Sequence, residues 1–496
     1  MNEPQQISLS NFLANIREQG LHEFSRAFGG AFAFSQGFHV YGDLRINLTL
    51  SAAEDDSNAR RFLQIIDSYN AVADECAKNV GAETLELQGE RIHALIPGDS
   101  LSEEIFRRLF AFSIALTNAV YEKIAPAAGE HWGRFSMAAD FGPAVLIASD
   151  CGGGSVVSLG NAANTPAKRL GRRPVVEAGC LALRRHIYQA IGDGGDNAEW
   201  IEINVLEPTE KISRFSNRTL NQQLTVLAAG VLERPIPYRS IVVANAAYVR
   251  DPSRFSVAEP FRVQGHCLRA DLDGFTHQIE AAFRSGPEAV KRLVKRFHEI
   301  MGYAQEYVRS LNRPVIEMPW AGDCATVILM PRDSETYGDT CRYLPVAAAV
   351  KWHDQEAAEN VDRVAWRKLL ESAKWAVSIG GGDEEEGSNG VMLIANVQSS
   401  RRTFRVAVGW APRRSNDGYQ AAGVRANDTV LHNVDYENID NEHKAAFREL
   451  DSRFRAAPLE KLRQSIAGKT ASLAKSTTLQ MPAIVRSIPA PRPHGE

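Results

Sequence analysis

The sequence predicts an α+β fold of two tandem ferredoxin-like domains. Three observations predict it. The chain has 496 residues, more than one ordinary core organises. A strand-helix-strand-strand-helix-strand order occurs twice, which implies antiparallel-rich sheets with helices on one face. Carboxylates recur at matching places: Asp43 and Asp271 are 228 residues apart, Glu90 and Asp323 are 233 apart.

The elements follow in order. Phe12, Leu13, Ile16, Leu21, Phe24 and Phe28 share one face of a helix over 9–28. A strand follows at His39–Leu50, a helix at Asn58–Val80, and a hairpin of Glu83–Leu87 with Ile92–Ile96 around Gly89-Glu90. A helix spans Glu103–Ile124, and a second hairpin joins Phe135–Ala139 to Ala144–Ala148. The turn Cys151–Ser155 leads to a short strand and a helix from Asn161, and Trp200–Leu206 closes the copy. The second copy reads as a strand at Val263–Leu272, a helix at Glu288–Leu311, and a hairpin of Val315–Met318 with Ala325–Met330. A helix at Val361–Val377, strands at Met392–Val397 and Phe404–Gly409, and a helix at His443–Phe454 complete it. Phe135 to Pro143 matches Phe404 to Pro412 at an offset of 269, so an insertion is expected over 331–400, with an acidic loop at Gly380–Gly390. The expected divisions are an N-terminal helical segment 1–37, a first copy 38–206, a linker 207–239, a second copy 240–455 and a tail 456–496. From Lys469 the tail is rich in Ser, Thr, Pro and Ala, the composition of a segment disordered in part.

Composition narrows the function. Apolar residues make up 44% and charged residues 23%, as in globular proteins, and the net charge of −4 gives no nucleic-acid-binding balance. The N-terminus shows no signal-peptide pattern, and no apolar run approaches the ~20 residues that span a bilayer. The six cysteines form no CxxC pair. A reduced, cytoplasmic protein without membrane or nucleic-acid partners is expected.

Two motifs carry chemistry. In Arg269-Ala270-Asp271-Leu272-Asp273-Gly274-Phe275-Thr276 an apolar strand ends in a carboxylate and Gly-Phe-Thr opens a helix. That arrangement suits a metal-bound polyphosphate, with a cation on the carboxylate and phosphate oxygens at the helix N-terminus. Asp323, in Gly322-Asp323, sits at a hairpin tip that the fold brings beside that strand end. Two carboxylates so placed suit a pair of Mg²⁺ or Mn²⁺ ions. Either Asp alone has an ordinary structural reading, as a strand end or a turn residue.

These motifs resemble the Asp-Ile-x-Gly-Phe-Thr and Gly-Asp signatures of class III nucleotidyl cyclases. Gly160-Asn161-Ala162-Ala163-Asn164-Thr165-Pro166-Ala167-Lys168-Arg169 resembles the family's Gly-x-x-Val-Asn-x-Ala-Ser/Ala-Arg element. The resemblance implies that Asn164 orients the ribose and that Lys168 or Arg169 stabilises the transition state. It also implies metal ligation by Asp271, Leu272 and Asp323, and nucleotide contacts from Asp273, Gly274, Phe275 and Thr276. The first copy has no Gly-Phe-Thr after Asp43, and the second places Val430 and Val434 where the ribose Asn and the cation would fall. One composite site in an internal pseudo-heterodimer follows, complete in a monomer. At the base-reading positions stand Glu86 and Val157. Glu86 is suited to a ring N–H, as in uracil or guanine, or is a solvent-facing strand residue; Val157 offers no polar contact, which favours the smaller base.

The chain further resembles the fused two-domain pyrimidine cyclases of Pycsar anti-phage systems. That resemblance implies conversion of UTP to 3′,5′-cyclic UMP and pyrophosphate, the product acting on a separate effector protein. A purine cyclase and a catalytically inactive nucleotide-sensing pseudo-cyclase are the alternatives.

Overall fold

A computed structural model of the chain describes residues 4–476, apart from 20–23, 25, 26, 28, 29, 48–54, 150–154, 172, 173, 192–197, 235–241, 244–259, 312, 355–374, 382–389 and 399–402. The structure is mixed α+β. In the first half, β1 (Phe32–Ile46), β2 (Glu83–Gln88), β3 (Arg91–Pro97), β4 (Trp132–Ser149), β5 (Ser155–Leu159), β6 (Cys180–Arg184) and β7 (Trp200–Asn204) form one sheet. Its order is β2-β3-β1-β4-β6-β7, with β5 also on β4. Strand alternation sorts β1. Phe38, Val40 and Leu44 share a core with Phe62, Ile66 and Tyr69 of helix Asp56–Asn79 and with Phe110 of helix Glu103–Ala119. The intervening His39, Tyr41 and Asp43 lie outside that core. The Asp55 carboxylate caps the first of these helices by accepting from the Asn58 amide at 2.8 Å.

The second half uses β8 (Val242–Val243), β9 (Phe261–Gln264), β10 (His266–Leu272), β11 (Val315–Glu317), β12 (Cys324–Leu329), β13 (Trp375–Gly380), β14 (Val391–Gln398), β15 (Thr403–Gly409), β16 (Asp428–His432), β17 (Arg448–Glu449) and β18 (Phe454–Pro458). One sheet runs β11-β12-β10-β13-β16-β18-β17, which repeats the order of the first. A four-stranded sheet runs β15-β14-β9-β8. Asp43 pairs with Arg91 and Ser136; Asp271 pairs with Cys324 and Ala376. The parallel pair β4–β6 has its counterpart in β13–β16.

The two halves exchange edges. Phe32, Val145, Ile147, Val157 and Leu159 of the first sheet are buried with Phe275, Ile279 and Phe297 of the second half. Leu393, Ala395, Val406 and Val408 belong to the core of the first.

Several elements differ from the sequence reading. The second hairpin is one 18-residue strand, β4, pairing along the full length of β1. Gly142-Pro143 falls between the β6 partner, which ends at Ala139, and the β5 partner, which begins at Val145. The missing proline N–H is therefore not required on that side. The strand expected over Val263–Leu272 is two strands in different sheets, broken at Gly265. Within the expected helix Val361–Val377, residues 361–374 lie outside the described residues and 375–377 belong to β13. Tyr337–Asp354 is helical instead. Phe135 pairs with Leu44 as Trp375 pairs with Leu272, so Trp375 and not Phe404 is its counterpart. Helical structure near His443 is confined to Asn441–Lys444. Of the helix expected over 9–28, Leu9–Gln19 is helical, residues 20–23, 25, 26 and 28 lie outside the described residues, and Phe12 meets Phe24 edge to face at 5.2 Å. The stretch 207–239 contains helix Arg218–Glu233, which buries Leu220, Leu224 and Ala228. Residue 455 falls inside β18, and helix Leu459–Ser476 follows. The Cys151–Ser155 turn except Ser155, and most of the Gly380–Gly390 loop, lie outside the described residues. No helix among the described residues is long and apolar enough to cross a membrane.

Candidate active site

Alternation along β10 buries Leu268, Ala270 and Leu272 in the second core, leaving Arg269 and Asp271 outside it. The chain then turns at Gly274 and enters helix Phe275–Ser285, whose Phe275, Ile279 and Ala282 are buried. Asp323 occupies the β11–β12 tip. There Gly322, at φ +61°, supplies the left-handed conformation that Ala321 and Cys324 close with mutual backbone bonds of 3.0 and 3.1 Å. The Leu272 amide donates to the Asp323 carbonyl at 3.4 Å, which locks the two carboxylate residues side by side.

Burial pushes the Asp271 carboxyl well above the carboxylate range, and the neighbouring Asp323 charge adds to it, against Lys168 and Arg269. Burial pushes Asp323 up to about 6. Two like charges held together out of water are a ligand set that a divalent cation relieves. The carboxylates of Asp271 and Asp323 and the main-chain carbonyl of Leu272 fit that role.

The first half supplies the facing wall. Helix Asn161–Gly171 presents Asn164 and Lys168, one turn apart. The Lys168 ammonium donates to the Thr276 hydroxyl at 2.9 Å. Asn164 Nδ2 is buried without a hydrogen-bond partner. Asn161 ties the halves together by donating to Glu280 at 2.7 Å. Arg169 points elsewhere: it donates to the Pro174 carbonyl at 2.7 Å and pairs with Glu202.

Asp271, Leu272, Asp323, Asn164 and Lys168 line one cavity of about 760 Å³, together with Glu86, Asp273, Gly274, Phe275 and Thr276. Glu86, His93 and Tyr41 stand in a row across β2, β3 and β1. Tyr41 lines the cavity and stacks on His93 at 4.1 Å, and burial and the Glu86 charge raise its phenol. Val157 does not reach the cavity, because its side chain is fully buried in the second core. Sequence reasoning missed Tyr41, Arg91 and Arg269, which also line it. Strand alternation gives a signal for two of them, since Tyr41 and Arg269 each precede the motif carboxylate by two residues. The counterparts of Asn164 and Lys168 also need correction. Helix Trp410–Tyr419 follows Gly409 and β15 as helix Asn161–Gly171 follows Gly160 and β5, so the matching residues are Arg413 and Asp417 rather than Val430 and Val434.

No family model matches the chain, and no curated protein matches it. Solved structures do. The guanylyl cyclase Cya2 matches at 15% identity and a TM-score of 0.28, over 36% of this chain and 96% of its own. The adenylyl cyclase CyaB from Pseudomonas aeruginosa matches at 13% identity and a TM-score of 0.29, over 36% and 98%. A class III adenylyl cyclase-like ATP-binding protein from Pseudomonas aeruginosa matches at 14% identity and a TM-score of 0.64, over 94% of this chain and 95% of its own. Across nearly its whole length, this chain therefore shares the fold of a class III adenylyl cyclase-like protein.

Proposed function

We propose that the chain is a nucleotidyl cyclase whose halves are tandem cyclase-type domains forming an internal pseudo-heterodimer. One observation carries the reading: Asp271 and Asp323 of one half face the unpartnered Asn164 amide and the Lys168 ammonium of the other across a single cavity. A nucleoside triphosphate is the substrate that uses all four. Two Mg²⁺ or Mn²⁺ ions, held by Asp271, Asp323 and the Leu272 carbonyl, would supply Lewis acidity at the reacting oxygens. The Asn164 amide donates to a ribose oxygen and fixes the sugar for ring closure. The ribose 3′ hydroxyl gives up its proton to water as its oxygen bonds to the α-phosphorus and the bond to pyrophosphate breaks, and Lys168 offsets charge on the phosphoryl oxygens. The first turn of helix Phe275–Ser285 receives the phosphate chain.

At the base, Glu86 accepts from a ring N–H, which uracil and guanine offer and adenine and cytosine lack. UTP is the proposed substrate, and cyclic UMP the product passed to a separate effector, on the resemblance to pyrimidine cyclases. Glu86 favours GTP equally, which makes it the second reading. An equimolar mixture of ATP, GTP, CTP and UTP with Mn²⁺, its products resolved by mass spectrometry, decides. A dominant cyclic UMP peak is expected. Dominant cyclic GMP transfers the site to the second reading, and dominant cyclic AMP contradicts the role given to Glu86.

A further inference from the structure

A second cavity, of about 380 Å³, lies where the strand and helix positions of the first recur with the halves exchanged. Asp43 stands in it at the place of Asp271, and Glu90 at the place of Asp323. Here cations are already built into the chain. Arg45 Nε lies 2.6 Å and Arg91 Nε 3.4 Å from the Asp43 carboxylate. Burial raises that carboxyl, but Arg91 and Arg45 outweigh it and hold the group below its ordinary value. Glu90 is pushed up to about 8 by burial and by Asp43. From the second half come Arg269, Arg405 and Arg413. Arg405 is 6% exposed and stays cationic near neutrality, lowered by burial only to about 10. Asp417 also lines the cavity and lies 4.0 Å from Arg453 outside it. Five guanidinium groups therefore meet three carboxyl groups, one of them largely protonated near neutrality.

We propose that this cavity is a second ligand site, which binds a compact polyphosphate through arginine alone, without a divalent cation. The ligand is inorganic pyrophosphate or the triphosphate tail of a nucleotide. Guanidinium forks match phosphate oxygens in pairs, and here a buried one, Arg405, stands with half-buried Arg91 and Arg269 and exposed Arg45 and Arg413, so a multiply charged anion can meet several of them at once. The volume is half that of the catalytic cavity, which suits a phosphate chain rather than an entire nucleotide. The site does not depend on the other cavity being catalytic.

The test is equilibrium dialysis of the full chain with labelled pyrophosphate in excess EDTA. One pyrophosphate per chain is expected. Arg413→Ala should weaken binding at least about tenfold, while Lys168→Ala, in the other cavity, leaves it unchanged. Arg413→Lys should retain part of the affinity, which guards against a variant that misfolds. Competition by UTP in EDTA identifies the nucleotide tail as a ligand; binding of pyrophosphate without competition identifies the free anion. Absence of binding up to about 1 mM overturns the proposal. So does binding lost in Lys168→Ala and kept in Arg413→Ala.

Discussion

Asp271 and Asp43 occupy the same strand position and keep different company. Each has a neighbouring carboxyl, Asp323 or Glu90, but Asp43 is also ion-paired with two arginines. A similar contrast separates Lys168 from Arg169. Lys168→Ala should lower kcat roughly a hundredfold, the scale of one lost charge contact to the transition state. Arg169→Ala should leave kcat within about twofold, since its partners Glu202 and Pro174 stand away from the cavity. Equal losses in both variants would contradict the assignment. Asp140 carries a pH prediction. Burial raises it to about 7, against Arg184 at 3.8 Å, while its carboxylate accepts from the Phe141 amide at 2.9 Å. The unfolded chain releases this proton near 3.8 and the folded chain only near 7, so the group lowers stability as pH rises between those values. Asp140→Asn keeps the acceptor and removes the penalty. Its stability relative to the parent should rise from pH 4 to pH 7 by at most roughly 4 kcal/mol, as read by denaturant unfolding. A difference independent of pH would contradict this. The motif carboxylates were legible because each sits in a local pattern of strand end or glycine turn. Val157 was misplaced because which face of an edge strand meets the partner half is a tertiary fact, absent from its neighbours in sequence.

At the scale of elements, the two halves differ by a break. β1 passes unbroken through Gly37, whereas its counterpart splits at Gly265 into strands of two sheets. The two glycines are 228 residues apart, the offset of Asp43 and Asp271. Both sit against backbone: a Cβ at Gly37 would stand 2.3 Å from the Ile96 carbonyl oxygen, and one at Gly265 would stand 2.3 Å from that of Leu329. Gly37 also has a φ of +153°. Gly37→Ala and Gly265→Ala should each destabilise the chain by about 2–3 kcal/mol in urea titration. Values near zero would show that the strands shift freely. Element type was readable where the apolar period was strong, as in Asp56–Asn79. It failed at Gly142-Pro143, where a strong local turn signal was overruled by pairing along the whole of β1. The strand at Phe404–Gly409 was read as the strand it is, but its match to Phe135 was wrong, because a short repeated pattern occurs in non-equivalent strands.

At the scale of the molecule, the exchange of sheet edges holds the parts of the proposed catalytic site together. The first sheet lends Val145, Ile147 and Val157 to the second core, and β14 and β15 lend Leu393 and Val406 to the first. Each half thus completes its core only against the other, and Asn164 and Lys168 are carried to Asp271 and Asp323 by the same contact. The repeated strand order was legible from the sequence; the edge exchange and the cationic second cavity were not, because both arise from strands far apart in the chain. The measurement that bears most directly on the account follows pyrophosphate and cyclic nucleotide together, with Mn²⁺, for the parent chain and for Asp323→Asn. Equal amounts of the two products are expected from the parent, and a loss of at least roughly a hundredfold in the variant, whose folding survives. No cyclic nucleotide from the parent, or undiminished turnover in the variant, would contradict it.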